Sequence, residues 1–369
     1  MPGNRHAGFG RRLGETHRWK HRQGAPGRPH WHVLEAVPEL ELLLANAHAV
    51  KNMPGRKTDV GDAEWLAQLC ECGLLRTSFV PPPVIAELRD LTRYRKKLIE
   101  ERSRETQRIQ KLLEDAGIKL DSVVSDILGV SARQMLEALI GGVRDIDALA
   151  GLARGRLRPK IPQLRQALEG RFGGHHALML QMHLDHVDQL SVNIERLDLE
   201  VDRVIRPFSE QLQHLITIPG VGRRTAEVMI AEVGVEMRRF ATAGHLASWA
   251  GTCPGSNESA GRVKSTRTRP GNPYLQGALG AAAMSCAQHP DTYLGVRYRR
   301  IASRRGPMKA NVAVQHSMLV AIWHMGHTGE LYNDPGADYF ARLHPERAKK
   351  RALHQLEAMG YRVSLDPVG

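Results

Sequence analysis

Two apolar series with a period of seven run through residues 175–205: Leu180, Val187, Ile194 and Val201, and beside them Leu190, Leu197 and Val204. A seam of this kind sustained over about three heptads belongs to a long helix that must lie against another helix. The period leaves open whether the partner is in the same chain or another, parallel or antiparallel. His183 occupies the first position of the second series, with His175, His176 and His186 close by. No His pair there stands at i,i+4 with an acid partner, so packing is preferred to a metal site.

A second long helix is predicted over 84–116, after the stiff break Pro81-Pro82-Pro83. Its apolar stripe is Leu88, Leu91, Tyr94, Leu98, Ile109, Leu112 and Ala116, and between Arg93 and Lys111 eight basic residues face three acidic ones. The whole chain, 369 residues, carries a formal charge of +13. That surplus points to a polyanionic partner, nucleic acid first. The long charged helix is either a solvated face of a bundle or a phosphate-tracking surface.

Cys70, Cys72, Cys253 and Cys286 form neither a CxxC pair nor a disulfide framework, and Cys70 and Cys72 read as packing residues in a helix. No apolar run reaches membrane-spanning length and nothing resembles a secretory signal. A cytoplasmic, nucleoid-associated protein fits.

Residues 1–32 hold six Gly, five His and seven Arg or Lys against a single acid, Glu15, without helical or strand periodicity. Disorder is expected there. Leu40–Ala47 reads as a short buried strand. Then "KNMPGRKTDVGDAEWLAQL" opens a helix, with Pro54-Gly55 as turn and Thr58 as cap. It places Asp59 and Asp62 three residues apart on one face, where two carboxylates need a cation or hydrogen bonds to compensate them.

"LITIPGVGRRTAEVMIAEVG" predicts a helix ending near Ile218-Pro219, a tight turn at Gly220-Val221-Gly222 and a new helix from about Arg223. Free backbone N–H groups beside Arg223 and Arg224 suit a DNA phosphate, as in a helix-hairpin-helix element. "HLASWAGTCPGSNESAGRVKSTRTRPGNPYLQGAL" runs from an apolar helix into a Gly/Ser loop with Ser256 and Ser259. Arg262, Lys264, Arg267 and Arg269 follow. A serine beside four cations can meet a scissile phosphate as a nucleophile, or the loop can simply bind phosphate. Six more basic residues lie between Arg297 and Lys309, and the tail from about 345 reads as a peripheral amphipathic helix.

In that order, the stretches "LLANAHAVKNMPGRKTDVGDAEWLAQL", "SFVPPPVIAELRDLTRYRKKLIEERSRE", "IPGVGRRTAEVMIAEVG" and "ASWAGTCPGSNESAGRVKSTRTRPGN" resemble the DEDD-type transposases of the IS110 family, relatives of the Piv site-specific invertase. The resemblance covers roughly residues 30–345. It implies a RuvC-like domain of ribonuclease-H type, a long helical coiled coil, and a helical C-terminal transposase domain with the hairpin element. It also implies DNA cutting and rejoining with Mg²⁺ held by four carboxylates, a serine that becomes linked to DNA, and a structured guide RNA. Asp59 and Asp62 match the last two acids of the DEDD set, and both would hold metal. Ser259 matches the family serine, with Ser256 the lesser candidate. A smaller departure falls at Gln276, where a basic residue is expected.

The first Asp and the Glu of the set have no counterpart, because the helix at "HVLEA" follows "APGRPHWH" rather than an acid-bearing strand. The expected organisation is therefore mostly α. It comprises a basic, non-native leader over 1–32, a truncated RuvC-like α/β remnant over 33–80, the coiled-coil region over 81–206, the transposase domain over 207–330 and a tail over 331–369. The expected function is transposition by a catalytically impaired chain that assembles as a dimer or tetramer through the coiled coil. A binding-only remnant that interferes with an intact copy is the alternative. A junction-resolving nuclease would share the fold without needing the serine loop.

Overall fold

A computed structural model describes residues 59–75, 80–255 and 257–365. The chain divides into two compact units, Met1–Pro82 and Pro83–Gly369. The expected leader and the strand at 40–47 lie outside the described residues, as does Ser256.

In the first unit, helix α1 spans Asp59–Glu71. Gly73, at φ +66, turns the chain out of it, and the N–H groups of Gly73 and Leu74 donate back to Cys70 O and Leu69 O. Leu69 is buried, whereas Cys70 and Cys72 are exposed rather than packed. Cys70 stands in the last turn of the helix and Cys72 just past its end.

The second unit is built on two long helices, α2 (Pro83–Asp115) and α6 (Gly174–Val204). The predicted seam residues Leu180, Val187, Leu190, Ile194, Val201 and Val204 are all buried. Their partner is α2 of the same chain, and the pairing is antiparallel. Glu87 meets Arg203, Arg95 meets Asp198, Arg102 meets Ser191, Glu105 meets His183 and Asp115 meets His176, one number rising as the other falls. Leu88, Leu98, Ile109, Leu112 and Ala116 of the predicted α2 stripe are buried, but Tyr94 is exposed. Arg95 takes the inward place instead, because the facing helices supply carboxylates for it.

Between the two long helices the chain folds into α3 (Val130–Ile140), α4 (Ile146–Gly151) and α5 (Ile161–Ala167). They close one end of the helix pair over a core of Ile109, Leu113, Met135, Leu136, Leu164, Leu180 and Leu184. At the other end Ile85, Leu88, Val201 and Val204 join a larger core built from the rest of the chain. That part comprises α7 (Ser209–Ile216), α8 (Arg223–Val233), α9 (Ala243–Trp249), α10 (Pro273–Cys286), α11 (Tyr293–Arg305) and α12 (Pro307–Thr328). Thr242, Asn272 and Thr292 cap α9, α10 and α11 with side-chain oxygens.

Two short strands, β1 (Asn257–Ser259) and β2 (Arg262–Ser265), make an antiparallel pair between α9 and α10. The tail carries α13 (Tyr339–Leu343) and α14 (Pro345–Ala358), the latter with no buried residue. The described chain is thus mostly α. Among its residues, no helix is long and apolar enough to cross a membrane.

Candidate nucleic-acid interface and serine hairpin

Ser259 ends β1 opposite Arg262, the first residue of β2. The two residues between them, Ala260 and Gly261, both have left-handed backbones, at φ +49 and +74. Two consecutive left-handed residues define the tight turn whose twist suits a two-stranded hairpin. Ala260 is the non-glycine residue with positive φ among the described residues, so strain sits directly after the serine. Ser259, Ala260, Gly261 and Arg262 are all exposed.

The hairpin stands on a firm base. Pro254 and Thr268 form a bridge, and Gly255 N donates to Arg267 O at 2.9 Å. Thr252 is buried, and its Oγ1 donates to Ala247 O at 3.0 Å. Gln276, where a basic residue is expected, ties α10 to this base by donating Nε2 to Ala250 O at 2.9 Å. Cys253 Sγ lies 3.7 Å from Nδ1 of His316 on α12. Burial, helped by the charge of Arg297, pulls His316 below the usual imidazole range. His316 escapes sequence reasoning because its contact with Cys253 joins residues 63 apart, with no local spacing to mark it.

The four hairpin cations, Arg262, Lys264, Arg267 and Arg269, are exposed and form no ion pair among the described residues. The turn between α7 and α8 is different. Gly220, at φ +85, is pressed against α10, where a Cβ would collide with Ala282 O, Cys286 N and Cys286 Cβ. Its close backbone approach is therefore to the protein itself. Gly222 opens into free space and leads into α8.

Arg223 donates to Asp202 Oδ1 at 2.7 Å and to Glu227 Oε1 at 3.1 Å, and its pairing with Asp202 pushes its pKa up. Arg224 donates to Asp198 Oδ2 at 2.6 Å. Both arginines are half-exposed and both are already paired. Surface pairs of this kind contribute about 1 kcal/mol or less, which leaves them open to competition by a phosphate.

Asp59 and Asp62 stand at i and i+3 at the start of α1. Carboxylates are hard oxygen donors of the type that holds Mg²⁺. No group of three or more His, Cys, Asp or Glu side chains placed to hold a metal ion occurs among the described residues.

Two family models match the chain, and their matches together span about half of it. A transposase model of the DEDD IS110 type matches residues 21–118, which include Asp59, Asp62 and all of α2 and begin inside the segment expected to be a leader. The model of the IS116/IS110/IS902 transposase family matches residues 212–299, from α7 through the serine hairpin to α11. No curated protein matches the chain. A transposase family implies a protein that binds DNA, and DEDD-type members in general use divalent metal ions. The chain belongs to the IS110/IS116/IS902 family of insertion-sequence transposases.

Proposed function

We propose that this transposase cuts and rejoins DNA with Ser259 as nucleophile. The observation that carries the reading is the placement of Ser259, exposed at a hairpin tip opposite Arg262 and beside three further cations that form no ion pair among the described residues. In the step proposed, Ser259 Oγ loses its proton to water and attacks a backbone phosphorus. The new Oγ–P ester replaces a P–O bond to deoxyribose, and the released sugar oxygen takes up a proton. Attack by a hydroxyl of the other DNA end reverses the exchange and frees the serine. Arg262, Lys264, Arg267 and Arg269 hold the phosphate and offset the charge that develops on its oxygens. Gly220, Gly222, Arg223 and Arg224 form a second contact with the backbone, in which phosphate displaces Asp202 and Asp198 from the two arginines.

Asp59 and Asp62 would hold Mg²⁺. A Mg²⁺ held there would supply the kind of positive charge that activates an attacking oxygen and neutralises a leaving one. A structured guide RNA is the second polyanion of this reading, supported by the charge of +13 and the family likeness. The α6 seam is covered by α2, so assembly into a dimer or tetramer falls to the other face of α6, where Leu178, Met182, Val192 and Leu199 are exposed.

The experiment is to incubate the chain with cognate DNA and Mg²⁺ and look for a covalent protein–DNA adduct. Ser259→Ala should abolish it, whereas an adduct that persists in that variant overturns the assignment. A second reading, binding without cutting, is favoured by the make-up of residues 1–32, seven Arg or Lys against a single acid. Under it, the chain binds DNA yet forms no adduct at any Mg²⁺ concentration.

A further inference from the structure

Between Gly251 and Ala310 ten Lys and Arg face two acids, Glu258 and Asp291. Four of the ten are the hairpin cations. The other six, Arg297, Arg299, Arg300, Arg304, Arg305 and Lys309, lie on α11 and the first turn of α12. None of the six forms an ion pair among the described residues. By contrast, the arginines where α2 packs on α6 and α8 are neutralised: Arg93 ends on Glu232, Arg95 on Asp198 and Glu227, Arg223 on Asp202, and Arg224 on Asp198. Across residues 251–310 all ten cations are left uncompensated among the described residues.

Arg297 heads this row. Its Nε is buried without a hydrogen-bond partner, and its Nη1 reaches Tyr293 Oη at a long 3.4 Å. A guanidinium partly removed from water with no anion beside it is half of an ion pair. Arg300 lies over the Phe340 ring, 4.6 Å from its centroid, which orients the cation without neutralising it. Arg304 donates Nε to Arg300 O at 3.1 Å, again a contact that leaves its charge uncompensated.

Arg297, Arg300 and Arg304 stand at i, i+3 and i+7, one face of a helix. That span rises about 10 Å. One strand of duplex DNA carries a phosphate about every 3.4 Å of axis, so the row faces about three phosphates. It begins beside His316, whose other neighbour, Cys253, lies at the foot of the serine hairpin.

We propose that α11, from Arg297 to Arg304 and on to Lys309 past the corner, is a phosphate track for DNA flanking the phosphate held at Ser259. The proposal rests on the serine-hairpin reading and extends it to a second surface with its own residues. DNA rather than RNA is the occupant, because the row starts under the hairpin, where the strand to be cut must lie.

The test is equilibrium binding of the full chain to a fluorescent random-sequence duplex over a range of NaCl concentrations. Three proteins are compared: wild type, Arg300→Gln/Arg304→Gln, and Arg262→Gln/Arg267→Gln, each checked for an unchanged thermal melt. The α11 double variant should bind about tenfold more weakly at physiological salt. Its plot of log K against log[salt] should be shallower by about 1.8, two phosphate contacts at about 0.9 each. Wild-type affinity and slope in the α11 variant, with both reduced in the hairpin variant, overturn the track and leave the serine-hairpin reading standing. Loss in the α11 variant with none in the hairpin variant overturns the hairpin reading and, with it, the proposed path of the strand. A loss confined to a structured RNA probe, with duplex binding intact, also overturns the proposal.

Discussion

Arg95 on α2 and Glu227 on α8 form a buried ion pair at 2.7 Å, with both side chains almost fully removed from water. Asp198 of α6 accepts a second bond from the same guanidinium at 2.8 Å and also holds Arg224. One network therefore joins the long helix pair to the turn that carries Arg223 and Arg224. Beside it, Arg93 donates twice to the buried Glu232, whose Oε2 also accepts from Asn272, the residue that caps α10. The second unit is clamped by charges as well as by its apolar core.

Removing one member of a buried pair strands the other. Glu227→Met or Arg95→Met should each destabilise the second unit by about 3–5 kcal/mol. The double change Arg95→Met/Glu227→Met should cost less than the sum of two single changes, since it leaves no unpaired charge between the two positions. Chemical denaturation of the four proteins checks this, and additive losses would refute the coupling.

Strain after the serine is testable by one atom. Ala260 holds a left-handed backbone at φ +49, which costs an L-residue about 1 kcal/mol or more. Ala260→Gly should stabilise the hairpin by a few tenths to about 1 kcal/mol once the extra chain entropy of glycine is subtracted. Ala260→Val should move the other way, and thermal melts of the two variants give the order.

The two glycines of the α7–α8 turn should separate cleanly. Gly220→Ala places a methyl group into the α10 backbone at a positive φ, so it should destabilise by more than about 2 kcal/mol. Gly222→Ala meets open space and should leave the melt nearly unchanged. If this turn contacts DNA, Gly222→Ala weakens duplex binding while stability stays as it was. Melting and binding curves recorded on the same preparations decide.

Glu105 gives the helix pair an acid-sensitive point. Burial pushes its carboxyl up, but hydrogen bonds from His183 at 2.6 Å and Arg108 at 2.6 Å, with their charges, outweigh burial and hold it below the ordinary range. A carboxylate with a depressed folded pKa contributes stability that is complete above the unfolded value and is lost as pH falls through the folded one. Wild type should therefore lose stability below about pH 4.5 more steeply than Glu105→Gln. Urea midpoints measured from pH 6 down to pH 3 compare the two slopes.

Assembly is open to a direct measurement. Leu178→Glu/Leu199→Glu places charge on the exposed apolar face of α6 and leaves the seam to α2 untouched. If that face joins copies of the chain, light scattering should show a shift to monomer with an unchanged melt.

Several features were legible from local spacing alone. The period of seven marked α6 to within a residue at each end, Pro81-Pro82-Pro83 marked the start of α2, and Gly220 to Gly222 marked the turn into α8. Ser259 and its four cations were visible because they lie within eleven residues of one another. These are properties of neighbours along the chain, where helical rise, glycine freedom and charge density act directly.

Tertiary structure decided the rest. Only folding could bring α2 to the α6 seam, since an apolar stripe does not name its partner. Arg95 rather than Tyr94 faces inward because Glu227, 132 residues away, supplies the missing charge. Arg223 and Arg224 look equally free in the sequence as Arg262 and Arg267, yet the first two meet carboxylates of α6 and the second two meet none among the described residues. Coulomb energy falls with distance in space and takes no account of distance along the chain. For that reason the sequence could count the excess of positive charge, and only the fold could say where it is left uncompensated.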